Sequence, residues 1–279
     1  MVIDFHTHIF PDQMAAATLR KLSSVSHTKP FTGGTAEDLR ASMKQAGIHY
    51  SVVLPVATKP EQVVSINDRA IQLKEENGLI RFGCIHPDFP NWKQELDRLA
   101  AQGVKGVKIH PVYQGRDLDD IRYLRILERA GALGLIVVTH TGVDIGYPSQ
   151  QRCPPRMALR AVEQVGPVKF VLAHMGGWRN WQQAEELLPQ TSVYLDTSFS
   201  TGKLTPLEEG CYTPEELVLM DEAAFVSMVK LFGAQRILFG TDSPWSGQKE
   251  SLEWFAALPL EEKEKQAILC ENARKLLNL

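Results

Sequence analysis

Along the 279-residue chain, short apolar runs alternate with longer stretches in which apolar residues recur every three to four positions. The first run lies at 2–10, VIDFHTHIF, where Val2, Ile3 and Phe5 are strand formers. Further strand signals fall at 51–54, 79–85, 104–109, 135–139, 168–173, 192–196 and 236–241. The first clear helical period runs through Leu39, Met43 and Ala46, opened by a capping box of Thr35 and Asp38 and stopped by Gly47. The next covers 60–77, with Val63, Ile66, Ala70 and Leu73 facing inward and Gly78 closing it. Helices are also expected at 91–102, 117–130, 156–165, 178–188, 214–232, 249–258 and 261–277. The segment 11–34 reads as a long polar excursion with a short helix inside, too long for a plain connector.

Eight strands alternating with helices, several apolar on both faces, predict a parallel sheet covered by helices. Eight is the number that closes a barrel, so the expected fold is α/β: a single (β/α)8 barrel domain over residues 1–279. An open doubly wound sheet is the alternative, but no GxGxxG turn follows the first strand. No internal repeat, low-complexity tract or linker divides the chain.

Composition narrows the function. A formal net charge of -3 offers no field for nucleic acid or an anionic membrane. Apolar and charged fractions of 44% and 23% are those of a globular protein, and no apolar run approaches the roughly 20 residues of a membrane span. The four cysteines form no CxxC pair, which suits a reducing cytoplasm, and a cleavable leader would carry the first strand away with it.

The chemistry gathers where strands end. Side chains alternate along a strand, so Asp4, His6 and His8 are expected on one face, and two imidazoles at a strand end can converge on one metal ion. Lys108 and His110, His140, His174 and Asp242 stand at the ends of later strands, the face where barrels carry active groups. Alternation places Ile136 and Val138 with His140, Phe170 and Leu172 with His174, and Leu238 and Gly240 with Asp242, as rows filling the barrel interior. His27, His49 and His86 fit no ligand pattern.

These residues resemble the amidohydrolase superfamily of metal-dependent barrel enzymes. DFHTH is similar to its first-strand HxH, His140 in VVTHTG to its fifth-strand histidine, His174 in LAHMGG to its sixth, and Asp242 in LFGTDSPW to its eighth-strand aspartate. HMGG, YLDTS, FGTDSPW and ENARKLL resemble the branch containing aminocarboxymuconate-semialdehyde decarboxylase. The resemblance implies a divalent ion, Zn²⁺ by its nitrogen and oxygen donors, held by His6, His8, His140 and Asp242. It implies Asp242 as general base, and His174 either polarising the substrate or ligating a second ion. Lys108 resembles the fourth-strand lysine that forms a bridging carbamate in two-metal relatives, which would place Lys108, His140 and His174 on the second ion.

The implied reaction is hydrolysis of an amide, ester or lactone of a small carboxylated molecule, with non-oxidative decarboxylation of an aromatic or muconate-like acid as the alternative. A phosphoesterase, which also begins with HxH, ends in Asp-x-His where this chain has Asp242, Ser243 and Pro244. Trp178, Trp181, Trp245, Arg152 and Arg179 are candidates for substrate contacts, and Asp4 for an acceptor behind the ligands. A homodimer is implied by resemblance alone.

Overall fold

The computed structural model describes residues 1–73 and 78–279. Eight strands follow in order: Ile3–Thr7, Tyr50–Val53, a third in two pieces (Leu79–Arg81 and Gly83–Cys84), Gly106–Ile109, Ile136–Thr139, Lys169–Leu172, Tyr194–Asp196 and Ile237–Leu238. Each pairs in parallel with its predecessor. The third changes partner at Phe82, its first piece lying on the second strand and its second piece on the fourth. Backbone hydrogen bonds close the seam between the eighth and first strands: Phe5 N–H to Phe239 O (2.7 Å), Asp242 N–H to His6 O (2.8 Å) and His8 N–H to Ser243 O (2.7 Å). The result is the expected (β/α)8 barrel.

Two apolar layers hold it. Ile3, Phe5, Val52, Phe82, Val138 and Leu238 meet inside the barrel, and Leu276 and Leu277 of the last helix, Asn272–Leu277, pack against the same cluster. Val107, Ile109, Val137 and Leu195 face outward into the larger layer beneath the helices. Each fully buried aliphatic or aromatic side chain contributes about 1.5–3 kcal/mol.

Alternation alone would turn two site residues, His6 and His174, away from the barrel mouth. Ile3 and Phe5 both lie inside, so a regular strand would turn His6 away. A bulge between Asp4 and Thr7, where Phe5 and His6 together oppose Val52, turns His6 back inward. On the sixth strand it is Val171 that fills the interior, while Phe170 and Leu172 pack under the helices, the reverse of the expected row. His174 still reaches the barrel mouth because the chain leaves the extended conformation there, with φ of 61° at His174 and 53° at Met175.

Helices depart from expectation where local signals were weak. The excursion after the first strand carries a 15-residue helix, Asp12–Ser26, not a short one. The stretch at 60–77 is a 3₁₀ turn, Pro60–Gln62, followed by Val63–Gln72, and its end at 74–77 lies outside the described residues. The expected helix 214–232 is two, Pro214–Leu217 and Glu222–Phe232. Bridges from Val218 to Lys203 and from Met220 to Thr201 hold the interruption extended, and Asp221 caps the second helix by accepting the Ala224 N–H at 2.8 Å. A one-turn helix, Pro111–Gln114, follows the fourth strand.

Candidate metal centre

His6 and His8 leave the first strand beside Asp242, which follows the eighth. His6 Nε2 lies 3.2 Å from His8 Nε2 and 3.4 Å from Asp242 Oδ1, and His8 Nε2 lies 3.0 Å from the same oxygen. Ligands bound at about 2.1 Å to one tetrahedral or octahedral ion stand roughly 3.0–3.4 Å apart. The outer ring nitrogens define the tautomers. His6 Nδ1 donates to Asp196 Oδ2 (2.9 Å) and His8 Nδ1 to Leu54 O (2.7 Å), so both Nε2 atoms present lone pairs to each other. Two lone pairs at 3.2 Å repel unless a cation or a proton lies between them. The donor set therefore fits a divalent ion.

Lys108 and His174 complete the inner wall. Lys108, 1% exposed, brings Nζ to 3.2 Å from His6 Nε2. His174 Nδ1 donates to Ser198 O (3.0 Å), leaving Nε2 as an acceptor 3.0 Å from His140 Nδ1. The structure thus groups His140 with His174, and its other nitrogen faces Asp144 and His110. Glycine makes this crowding possible: a Cβ on Gly240 would come within 3.0 Å of the His6 Cβ, and one on Gly142 within 2.2 Å of the Trp178 nitrogen. Positive φ at His174, Phe199 and Asp242 concentrates backbone strain around the same centre.

Burial, with the Lys108 charge adding to it, lowers the His6 pKa to about 4, and burial lowers that of Lys108 to about 8. Burial alone would raise the Asp242 carboxyl, but His6 and His8 outweigh it and hold it at about 2. For Asp196, too, burial is outweighed, chiefly by His6, and its pKa falls well below the carboxylate range. Burial keeps His140, His110 and His174 neutral. At neutral pH the centre thus offers imidazole lone pairs and two carboxylates.

The centre opens into a cavity of about 1200 Å³ whose walls include Tyr113, Tyr147, Trp178, Phe199 and Trp245. Of the expected substrate contacts, Trp178 and Trp245 line it. Trp181 instead donates to His174 O at 3.1 Å, Arg179 binds the backbone of Val218 and Glu216, and Arg152 pairs with Asp117 at 3.0 Å. Asp4 is not behind a ligand ring: the bulge leaves its carboxylate with Thr241, Gln248 and the His6 backbone N–H. His49 and His27 serve the backbone, His49 by accepting the Val2 N–H and His27 as the left-handed end of a helix, and buried His86 accepts the Asp88 N–H.

Sequence reasoning passed over the partners. Asp196 orients His6, Ser198 links Asp196 to His174, and Asp144 faces His110 and His140. Asp196 carried a usable signal, an aspartate ending an apolar strand as Asp242 nearly does, whereas Asp144 sits in a loop that no periodicity marks.

A barrel with its imidazoles and carboxylates at the carboxy-terminal strand ends defines an enzyme of the metal-dependent barrel class. The chain belongs to the amidohydrolase family, whose model matches residues 3–279. Among solved structures it is similar to an uncharacterised TIM-barrel protein from Bordetella bronchiseptica (19% identity, TM-score 0.75, covering 99% of this chain and 98% of that one). It is also similar to a dihydroxybenzoic acid decarboxylase from a Polaromonas species, solved with bound manganese and the inhibitor 2-nitroresorcinol (17%, TM-score 0.68, 100% and 97%). A third is a proposed 2-pyrone-4,6-dicarboxylic acid hydrolase from Pseudomonas putida (19%, TM-score 0.66, 99% and 97%). Comparison with curated proteins gives no match.

Proposed function

We propose that the protein is a divalent-metal-dependent hydrolase of an amide, ester or lactone in a small carboxylated molecule. The observation that carries this reading is the convergence of His6 Nε2, His8 Nε2 and Asp242 Oδ1 within 3.0–3.4 Å, in tautomers that leave lone pairs inward. In it His6, His8 and Asp242 hold the ion, with His140 as a further ligand. A bound divalent ion supplies Lewis acidity, lowering the pKa of water and polarising a substrate oxygen. Asp242, ionised at neutral pH, accepts the proton of the attacking water and returns it to the leaving group. His174, fixed by Ser198, orients the substrate oxygen or binds a second ion. Zn²⁺ suits the nitrogen-rich donor set, and the manganese of the Polaromonas decarboxylase makes Mn²⁺ the ion to test beside it.

The second reading, a decarboxylase, is favoured by the aromatic cavity wall and by Lys108 beside His6, a setting for an aromatic acid. Lys108 also carries the two-ion alternative, in which its carbamate, formed from the neutral amine and carbon dioxide with loss of a proton, would serve as an anionic ligand to the metal ions. No helix among the described residues is long and apolar enough to cross a membrane, and the four free thiols agree with a cytoplasmic setting.

Chelated protein reloaded with Zn²⁺ or Mn²⁺ and assayed on lactone, amide and aromatic-acid panels separates these readings. Hydrolysis restored by metal supports the proposal, and carbon dioxide release without net water uptake replaces it with the decarboxylase. Failure to bind either metal sinks both. On the two-ion alternative, Lys108→Ala lowers metal content toward one ion per chain without rescue by bicarbonate. One tightly held ion in both proteins removes the bridge.

A further inference from the structure

His6, His8 and His174 share a habit that His140 lacks. His6 places its outer ring nitrogen on Asp196 Oδ2 (2.9 Å), His8 on Leu54 O (2.7 Å) and His174 on Ser198 O (3.0 Å). Such oxygen partners fix which nitrogen keeps its lone pair, and so orient a metal ligand. In His140, Nδ1 faces His174 Nε2 at 3.0 Å, and Nε2 is buried without a hydrogen-bond partner. A buried polar atom left open at a site marks a contact that something completes.

That open nitrogen faces the Asp144 carboxylate, whose Oδ2 is 3.9 Å away. Asp144 follows the fifth strand and is 3% exposed. The backbone N–H groups of Gly146 (2.9 Å) and Tyr147 (3.1 Å) pin its Oδ1. Its Oδ2 faces the imidazoles of His140 and, at 3.6 Å, His110, and the Tyr113 hydroxyl also hydrogen-bonds the carboxylate. The His110 ring is clamped between Tyr113 and His140, with centroids at 3.8 and 4.3 Å and planes within 10°, so the His140 plane is already set.

His110, His140 and Asp144 are close enough to suggest a cation of their own. The tautomer of His110 speaks against it. Its Nδ1 accepts the Tyr113 backbone N–H (3.4 Å), which leaves the proton on Nε2. His110 therefore points a donor, not a lone pair, at Asp144.

We propose that Asp144 is a positioning residue of the metal centre: when an ion displaces the proton that His140 Nδ1 offers to His174 Nε2, Asp144 receives the Nε2–H of His140 and so holds the Nδ1 lone pair toward the ion. Asp144 would then do for His140 what Asp196 does for His6. A shift of about 1 Å brings the pair from 3.9 Å to hydrogen-bond length. The inference rests on the reading of His140 as a ligand.

The test is Zn²⁺ affinity of the chelated full-length protein, measured by competition with a chromophoric chelator, in wild type, Asp144→Ala, Asp144→Asn, His110→Phe and His140→Ala. Asp144→Ala is expected to weaken Zn²⁺ about 10- to 100-fold. Asp144→Asn keeps an acceptor for the Gly146 and Tyr147 N–H groups, so it guards against misfolding and is expected to lose less. His110→Phe retains the stacked ring and is expected to stay near wild type. In ¹⁵N spectra of the Zn²⁺-loaded protein, His140 is expected to carry its proton on Nε2, and that signal to shift or exchange away in Asp144→Ala. Unchanged affinity in both Asp144 variants overturns the proposal. Equal losses in Asp144→Ala and His110→Phe also overturn it, in favour of direct ligation by the cluster. If His140→Ala leaves affinity intact, the ligand reading itself fails, whatever Asp144 does.

Discussion

Two of the polar clusters in this barrel differ in kind: one closes on itself, and the other does not. Beneath the helices Val63–Gln72 and Trp92–Ala101, Asn67 donates to Cys84 O (3.0 Å) and Glu95 Oε1 (2.7 Å) and accepts the Cys84 N–H (2.8 Å). Arg98 then grips both Glu95 oxygens and Asp68. The Asn67 amide is thus satisfied at both ends, and none of these residues lines the cavity at the strand ends. The histidine centre is the opposite: His6 and His8 turn lone pairs toward each other, His140 leaves a nitrogen open, and all three line the cavity. Polar groups that satisfy one another stabilise a fold, whereas groups whose inner atoms conflict until something binds are arranged for a ligand.

Substitutions can break that contrast. The largest effect is expected in the open cluster: Asp242→Asn should lower turnover about 10²- to 10⁴-fold while metal content is largely retained, because an amide oxygen coordinates but does not accept the proton. Near-normal turnover with metal bound would take the base away from Asp242. His8→Ala should instead lose metal and turnover together, as read by metal analysis alongside the assay. The closed cluster should answer in stability alone. Asn67→Ala strands the buried Cys84 N–H and should cost about 1–3 kcal/mol in denaturant unfolding with metal content unchanged. A loss of metal in that variant would blur the distinction.

The smallest effect belongs to a third, exposed network. Burial alone would raise the Asp88 pKa, but Arg116 and Arg122 lower it below 3.8. Its carboxylate therefore stabilises the folded state above pH 3.8, and that stability is lost as pH falls through the folded pKa. With side chains 31–39% exposed, Asp88→Asn should cost less than about 1 kcal/mol at pH 7, and the difference from wild type should vanish in strong acid. A gap that persists there would point to packing instead of charge.

The alternation of apolar runs and helical periods was enough to read eight parallel strands, and HxH with the later strand-end residues was enough to locate the carboxy-terminal face. Local rules carry that information, because period, caps and turn residues act within a few positions. The same rules misread the helix at 214–232, where Val218 and Met220 are held extended by residues in a distant loop.

What the sequence determined by itself was therefore the order of the elements and the kinds of donor at their ends. The tertiary structure alone decided which ring nitrogen faces inward. That choice depends on Asp196, Leu54 and Ser198, which lie 190, 46 and 24 positions from the rings they orient. It depends also on a one-residue bulge that reverses the direction of His6. A tautomer is set by the oxygen that reaches the ring, and the barrel's closure brings that oxygen there.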